Sequence, residues 1–345
     1  MKVLSLFDGI SCGLVALKRA GIPVSRYVAY EIDKYAKIVS KFNHPEIEQR
    51  GNVEGEDWRE FIGFDMVIGG FPCTDLSIAG KRKGLKGDHS SLFWEQVTAI
   101  EIIKPKYFLV ENNYGMPKEA EDIITKALGV EPILINSALV SAQQRKRLYW
   151  TNIPNLEQPE DKGILLKDIV EYGMVTQAKA YAITANFFKK NVRDCIGKKR
   201  GSVVAEPVRL LSWGESQSTR AYSLDGKSVC LDGSNVSKYF VPNRLGVIGK
   251  GGQGNRVYSV VGKSVCLSAN SGGKGGTSGL YKIDLPDGDY IIRKLTPVEC
   301  ERLQTLPDHY TELLSDTQRY KCLGNGWTVD VIAHIFRQIL LNEIM

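Results

Sequence analysis

The first third of the chain alternates short apolar runs with stretches of helical periodicity, and no other feature restricts its fold as much. Residues 2–7 read as a strand, 9–20 as a turn opening into a helix that stops at Gly21, and 25–30 as a second strand closing on Glu31 and Asp33. Helices are expected over 34–42, 92–103 and 119–128, and strands over 65–69, 107–110, 132–136 and 148–151. Strands alternating with helices imply a parallel sheet wound on both faces, an α/β class. In such sheets ligands lie at the carboxyl ends of the strands. The chemically distinctive residues fall there: after Phe7, at Glu31, after Gly69 and at Glu111.

Beyond residue 155 the character changes. Apolar runs shorten, Gly and Ser rise, Lys198, Lys199 and Arg200 form a basic cluster, and residues 246–279 are dense in glycine. This predicts a second, smaller domain rich in β-structure and loops, with a surface function. Residues 220–231 (RAYSLDGKSVCL) recur as 256–267 (RVYSVVGKSVCL), each copy alternating about a Gly-Lys turn as a β-hairpin would. A duplicated structural hairpin is the plain reading. Helical patterning returns over 296–303 and 329–344.

The net charge of +6 fits a polyanionic partner, although many proteins that bind none are as basic. No apolar run reaches the roughly 20 residues of a membrane span. Asp8 interrupts the apolar N-terminus, which does not read as a secretory signal. The seven cysteines include no CxxC pair, which argues against a disulfide framework or zinc site and for a reducing compartment.

Three blocks carry candidate chemistry. In Gly69-Gly70-Phe71-Pro72-Cys73 a cysteine stands just past a strand, where a thiolate can act as nucleophile. Alone, such a cysteine is more often packing. Glu111 likewise follows a buried strand, and would share the sheet edge with Cys73 if the two strands are neighbours. Gln143, Arg145 and Arg147 alternate, so on a strand they would point to one face. Guanidinium groups there suit a base carbonyl or phosphates. The alternative is a charged edge strand.

Together with Phe7-Asp8-Gly9-Ile10-Ser11-Cys12-Gly13 and Glu31-Ile32-Asp33, these blocks resemble the DNA cytosine-C5 methyltransferase family over nearly the whole chain. The order of blocks is intact, including the late Arg293-to-Cys300 and Gly324-to-Val329 segments. The chain departs from the family pattern in its glycine-turn spacing, in Glu111-Asn112-Asn113 where Glu-Asn-Val is usual, and in Gly51-Asn52-Val53 where Gly-Asp is usual. None of these changes removes a catalytic group, and the Asn52 amide oxygen can still accept a hydrogen bond.

The resemblance implies a Rossmann-like methyltransferase fold with a smaller target recognition domain. Residues 1–155 would bind cofactor and do the chemistry, 156–292 would recognise the target, and 293–345 would return to complete the catalytic domain. The implied cofactor is S-adenosylmethionine, leaving as S-adenosylhomocysteine, with no metal. The implied partner is double-stranded DNA carrying a specific sequence, acted on by a monomer with no membrane association. A bacterial or phage-encoded cytoplasmic protein acting on the nucleoid, within or outside a restriction-modification pair, is expected.

Residue by residue, Cys73 is the implied nucleophile toward C6 of a flipped cytosine, and Glu111 binds N3 and the exocyclic amine. Arg147 contacts the O2 carbonyl, and Arg145 holds phosphate or orients the loop. Phe7, Asp8, Gly9, Ile10, Glu31, Ile32, Asn52, Val53, Pro72, Asn325, Trp327 and Val329 are expected around the cofactor, with Glu31 on the ribose hydroxyls. Ser77, Lys81, Arg82 and Lys83 belong to a basic loop after the nucleophile, expected to close over DNA. Arg220 and Arg256 are candidates for base reading, as are Asn235 and Asn255. Two rival readings stand beside this one: an RNA-modifying branch of the same family, and a catalytically silent DNA-binding protein. The long middle segment argues against the first, and the intact Cys73, Glu111, Arg145 and Arg147 against the second.

Overall fold

A computed structural model describes residues 1–72, 92–171, 179–186, 189, 203–207, 244–247, 256–258 and 290–344. They divide into two compact units. The first comprises Met1–Ile169, Lys179–Lys189 and Thr296–Met345, and the second comprises Val170–Ala178 and Lys190–Leu295.

The first unit is built on a seven-stranded sheet in the order β3-β2-β1-β4-β5-β8-β6. Its strands are β1 (Lys2–Leu6), β2 (Arg26–Tyr30), β3 (Glu48–Arg50), β4 (Met66–Gly69), β5 (Tyr107–Asn113), β6 (Ile133–Asn136) and β8 (Lys146–Thr151). The two-residue β7 (Gln143–Gln144) pairs in parallel with β9 (Ala180–Tyr181) outside that sheet. Strands β3, β2, β1, β4 and β5 run parallel, and their apolar runs are continuous because helices cover both faces. Val3, Leu4, Leu6, Val67, Ile68, Leu109 and Val110 are wholly buried.

The expected all-parallel sheet needs one correction. β8 runs antiparallel to both β5 and β6. No crossover helix separates β6 from β8, only a short connection, and such a connection returns the chain antiparallel to its predecessor.

The helices start and stop where their termini are satisfied. α1 (Cys12–Ala20) ends on Gly21 at φ 79°, a left-handed residue that donates to the last-turn carbonyls. α2 (Lys34–Asn43) begins on Asp33, whose carboxylate accepts from the Tyr35 and Ala36 amides. α3 (Leu92–Ile103) and α4 (Lys118–Leu128) follow the expected spans closely. α5 (Pro297–Leu303) opens with a reciprocal cap between Thr296 and Glu299 and with Pro297 in its first turn. α6 (Asp316–Asn325) and α7 (Val329–Ile344) complete the unit, and α7 packs along α1.

In the second unit β10 (Val203–Pro207) pairs antiparallel with β13 (Tyr290–Lys294). β11 (Arg244–Val247) pairs antiparallel with β12 (Arg256–Tyr258). No described helix is long and apolar enough to cross a membrane.

Candidate active site

The strand ends of the first unit open onto a cavity of about 750 Å³. One wall follows β1. Phe7, Gly9 and Ser11 all take positive φ (58°, 61° and 60°), so three left-handed residues turn the chain from strand into helix. Two of them carry a Cβ, and such a conformation costs about 1–2 kcal/mol per residue. The turn is held by donors and acceptors on every side. The Asp8 amide donates to Tyr30 O, and the Gly9 amide to Glu31 Oε2 at 2.8 Å. Glu31 Oε1 accepts from the Asp33 amide at 2.7 Å. The second-strand acid is therefore pinned at both oxygens by main chain. The Asp8 carboxylate points into the fold, accepting from Ser5 (2.6 Å), Ser11 (2.5 Å) and Tyr27 (2.7 Å). Burial raises its pKa to about 6, against the opposing pull of those three hydroxyls.

Ile32 is 75% exposed at this wall, an unusual position for a large aliphatic side chain. Asn52 and the buried Val53 line the same wall, and the Asn52 amide donates to Glu54 at 2.7 Å. Lys321 on α6 ties in by pairing with Asp33 at 2.5 Å.

The opposite wall is made by β4, β5 and β8. Gly69 pairs with Val110, so Gly70 and Glu111 stand side by side where β4 ends. A Cβ on Gly70 would lie 2.9 Å from Glu111 Oε2 and 3.1 Å from Trp327 Nε1, so only glycine leaves room for that acid and indole. The buried Asn112 donates from Nδ2 to Phe71 O at 3.2 Å, fixing the carbonyl just before Pro72. Phe71 packs on Phe93 with ring centroids 5.0 Å apart. Pro72 lines the cavity. Cys73, Ser77, Lys81, Arg82, Lys83 and Arg220 lie outside the described residues.

Glu111 accepts from Arg147 Nε at 2.8 Å through Oε1 and from Trp327 Nε1 at 3.2 Å through Oε2. Arg147 also donates from Nη1 to Lys146 O at 2.8 Å. Arg145 turns the other way. It is buried, and its guanidinium donates to Ile183 O (2.8 Å), Gly326 O (3.1 Å) and Gly324 O (3.3 Å). Arg145 was expected to hold a phosphate or orient the loop, and here its guanidinium binds main-chain carbonyls of residues 183, 324 and 326. Gln143, buried beside it, accepts from the Ile183 amide and donates to Leu303 O. Burial alternates over Gln143 to Lys146, with Gln143 and Arg145 buried and Gln144 and Lys146 exposed, but Arg145 lies between β7 and β8 and does not share its partners with Arg147. The edge-strand alternative falls, because β8 lies between β5 and β6.

The late block closes the cavity. Gly324, Asn325, Gly326 and Trp327 line it together with residues 183–186. A Cβ at Gly324 would come within 2.2 Å of Thr184 and Ala185 main chain, so the two segments meet only through glycine. Val329, expected at the cofactor, is instead fully buried at the start of α7, where its amide donates to Gln304 O and its side chain is not part of the cavity lining. Trp327 was expected only at the cofactor, yet it reaches Glu111. The roles of Asn112 and of residues 183–186 were not anticipated. Asn112 carried a signal, since it sits inside a block read only for its acid. Residues 183–186 carried none. Arg256 lies in the second unit, on β12, paired with Val247.

Known proteins resemble this chain over most of its length. The orphan methyltransferase M.Rho11sI of Bacillus phage rho11s is 28% identical over 83% of this chain, which spans 61% of that protein. The type II methyltransferase M.HhaI of Haemophilus parahaemolyticus is 25% identical over 97% of this chain and 93% of its own. In fold, the Entamoeba histolytica methyltransferase EhMeth matches with a TM-score of 0.62 at 16% identity, covering 100% of this chain and 99% of its own. A Spodoptera frugiperda DNMT2 variant matches with a TM-score of 0.61 at 17% identity, covering 98% of this chain and 99% of its own. The model of the C-5 cytosine-specific DNA methylases matches residues 1–341, and the chain belongs to that family.

Proposed function

We propose that this chain transfers a methyl group from S-adenosylmethionine to carbon 5 of a cytosine flipped out of duplex DNA, with Cys73 as the nucleophile. One observation carries the reading: the Glu111–Arg147–Trp327 cluster faces the same cavity as the Phe7-to-Ile10 turn and Glu31. A polar, base-sized recognition group and a nucleoside-sized cradle thus stand across one space.

The cradle fits the cofactor on physical grounds. A side chain at Gly9 would meet no protein atom within 4 Å, so main chain there faces open space. Ile32 offers an exposed apolar surface for an adenine, and each pinned Glu31 oxygen keeps a lone pair for a ribose hydroxyl. The cofactor supplies an electrophilic methyl group. The remaining work belongs to the chain. Cytosine C5 is a weak nucleophile until the Cys73 thiolate adds at C6, which makes C5 enamine-like. A proton shared between Glu111 and N3 favours that addition, and Arg147 binds the O2 carbonyl. C5 then gains the methyl group; its proton passes to a solvent base as the C6–sulfur bond breaks and its electron pair returns to the thiolate, and the N3 proton goes back to Glu111. These atoms are unreachable in a stacked duplex, so the base is extruded.

Residues 1–155 and 293–345, joined by 156–169 and 179–189 of the same unit, are assigned the chemistry, and the rest of 156–292 the choice of sequence. The division into two compact units, with residues 296–345 rejoining 1–169, supports this split. DNA is the assigned partner, and Arg256 a base-reading candidate.

The test uses labelled S-adenosylmethionine with duplex DNA and with RNA. Wild type is expected to label duplex DNA and to form a covalent adduct with duplexes carrying 5-fluorocytosine, where fluorine replaces the departing proton. Cys73→Ala is expected to abolish both. Methylation by the alanine variant, or labelling of RNA alone, would overturn the reading.

A further inference from the structure

Among the described residues, seven charged side chains line the cavity, and six are already engaged. Asp8 is held by hydroxyls, Glu31 by amides, Asp33 by Lys321, Arg145 by carbonyls, and Glu111 and Arg147 by each other. The seventh is Lys146. It is exposed on β8 and forms no ion pair with any described residue. Its ammonium stands over the ring of Tyr114, 5.4 Å from the centroid. Tyr114 is itself 49% exposed at the rim of the same cavity.

The sheet register explains the pairing. Asn113 is opposite Arg147, so the next residue outward on β5 meets the next residue outward on β8. The pair therefore sits one step beyond the Glu111–Arg147 contact, on the way out to solvent. Arg147 donates to the Lys146 carbonyl, which joins the rim to the recognition cluster. A cation with no ion-pair partner among the described residues, set over a half-exposed aromatic ring, is a poor structural device. A surface cation–π contact is weak, while about half of the tyrosine stays wet. It is a good receptor for an anion with an adjoining apolar face.

Resting on the functional reading above, we propose that Tyr114 and Lys146 dock the target strand beside the flipped cytosine. Lys146 takes a backbone phosphate, and the Tyr114 ring packs on the adjoining deoxyribose. A base threaded to Glu111 must trail its own backbone across this rim, and a phosphodiester-sugar unit has the charge and the apolar face that the pair lacks.

The experiment measures binding of the full chain to a duplex with a mismatched target cytosine, by fluorescence anisotropy across a salt series. Lys146→Gln is expected to weaken binding roughly tenfold near 0.1 M salt. It should also flatten the slope of log K against log salt by about 0.9, the signature of one lost phosphate contact. Tyr114→Leu should weaken binding without changing that slope, while Tyr114→Phe retains affinity. Affinity for S-adenosylmethionine, measured by calorimetry, reports that each variant is folded. Unchanged affinity and slope in folded Lys146→Gln would overturn the proposal, and so would a loss confined to one base sequence. If wild type itself fails to bind the duplex, the functional reading falls and takes this assignment with it.

Discussion

Glu31 and Glu111 sit at the ends of two strands of one sheet and face one cavity, yet they are held in opposite ways. Glu31 accepts from two main-chain amides, Gly9 and Asp33. Glu111 accepts from two side chains, Arg147 and Trp327. Backbone donors do not move away when a ligand arrives, so the β1–β2 wall is set before binding. Side-chain donors can be exchanged, so the β5–β8 wall is a set of groups satisfying one another until a base replaces part of the contact. The lesson concerns cost. On the proposed reading, a ligand at Glu31 adds bonds to a finished frame, whereas a cytosine at Glu111 competes with Arg147 and the indole for the same oxygens. Binding energy is then expended where transition-state contacts are made.

The largest effect should come from Glu111→Gln. Turnover is expected to fall by about 10²–10⁴-fold, the usual worth of a positioned acid-base group. Affinity for S-adenosylmethionine should stay within about twofold, by calorimetry. Equal damage to both would erase the contrast between the walls.

Glu31→Gln should do the reverse. Its amide nitrogen would confront either the Gly9 or the Asp33 amide, and one charge-assisted bond is lost. Affinity for the cofactor should drop about tenfold or more, following the roughly 1.5–3 kcal/mol of a bond to a charged group. The rate at saturating cofactor should change far less than in Glu111→Gln, which a single-turnover measurement can check.

A smaller effect sharpens the picture of the first wall. Asp8 has a folded pKa of about 6 against an ordinary 3.8, chiefly through burial. The folded protein thus retains a proton that the unfolded chain releases between those values. The resulting stabilisation is complete below pH 3.8 and is lost as pH rises through 6. Asp8→Asn cannot titrate, so its stability relative to wild type should rise with pH across that window, followed by urea denaturation. A parallel pair of pH profiles would mean that the turn does not feel the charge.

Much of this was legible in the primary structure, for identifiable reasons. α3 matches its expected span of 92–103, because its apolar residues are abundant and its C-terminus abuts Lys104-Pro105. The strand before Glu111 is legible because buried parallel strands read as unbroken apolar runs, although β5 continues past the expected 107–110 to Asn113 and carries Glu111 within it. Two features were hidden. β3 (Glu48–Arg50) is polar and three residues long, which carries no periodicity. α6 (Asp316–Asn325) has no apolar stripe and contains Gly324 and Asn325, so its helix is stabilised by packing and by the Lys321–Asp33 pair. Arg145 illustrates a different limit. Sequence spacing places a guanidinium on a face, but only tertiary structure reveals that carbonyls from residues 183, 324 and 326 already surround it.

Those carbonyls, together with the Tyr310 hydroxyl that donates to Ile10 O at 2.8 Å, join parts of the chain separated by up to 300 positions. A nascent polypeptide that has delivered its cofactor turn, its acid and its arginines to the outside of the ribosome still lacks the indole and glycines that complete them. On the proposed reading, competence therefore arrives only once residues 310–327 have been made. Prematurely terminated products would carry the Pro-Cys and Glu-Asn blocks without a finished pocket, so interrupted translation yields silent fragments instead of a methylase loose on the genome.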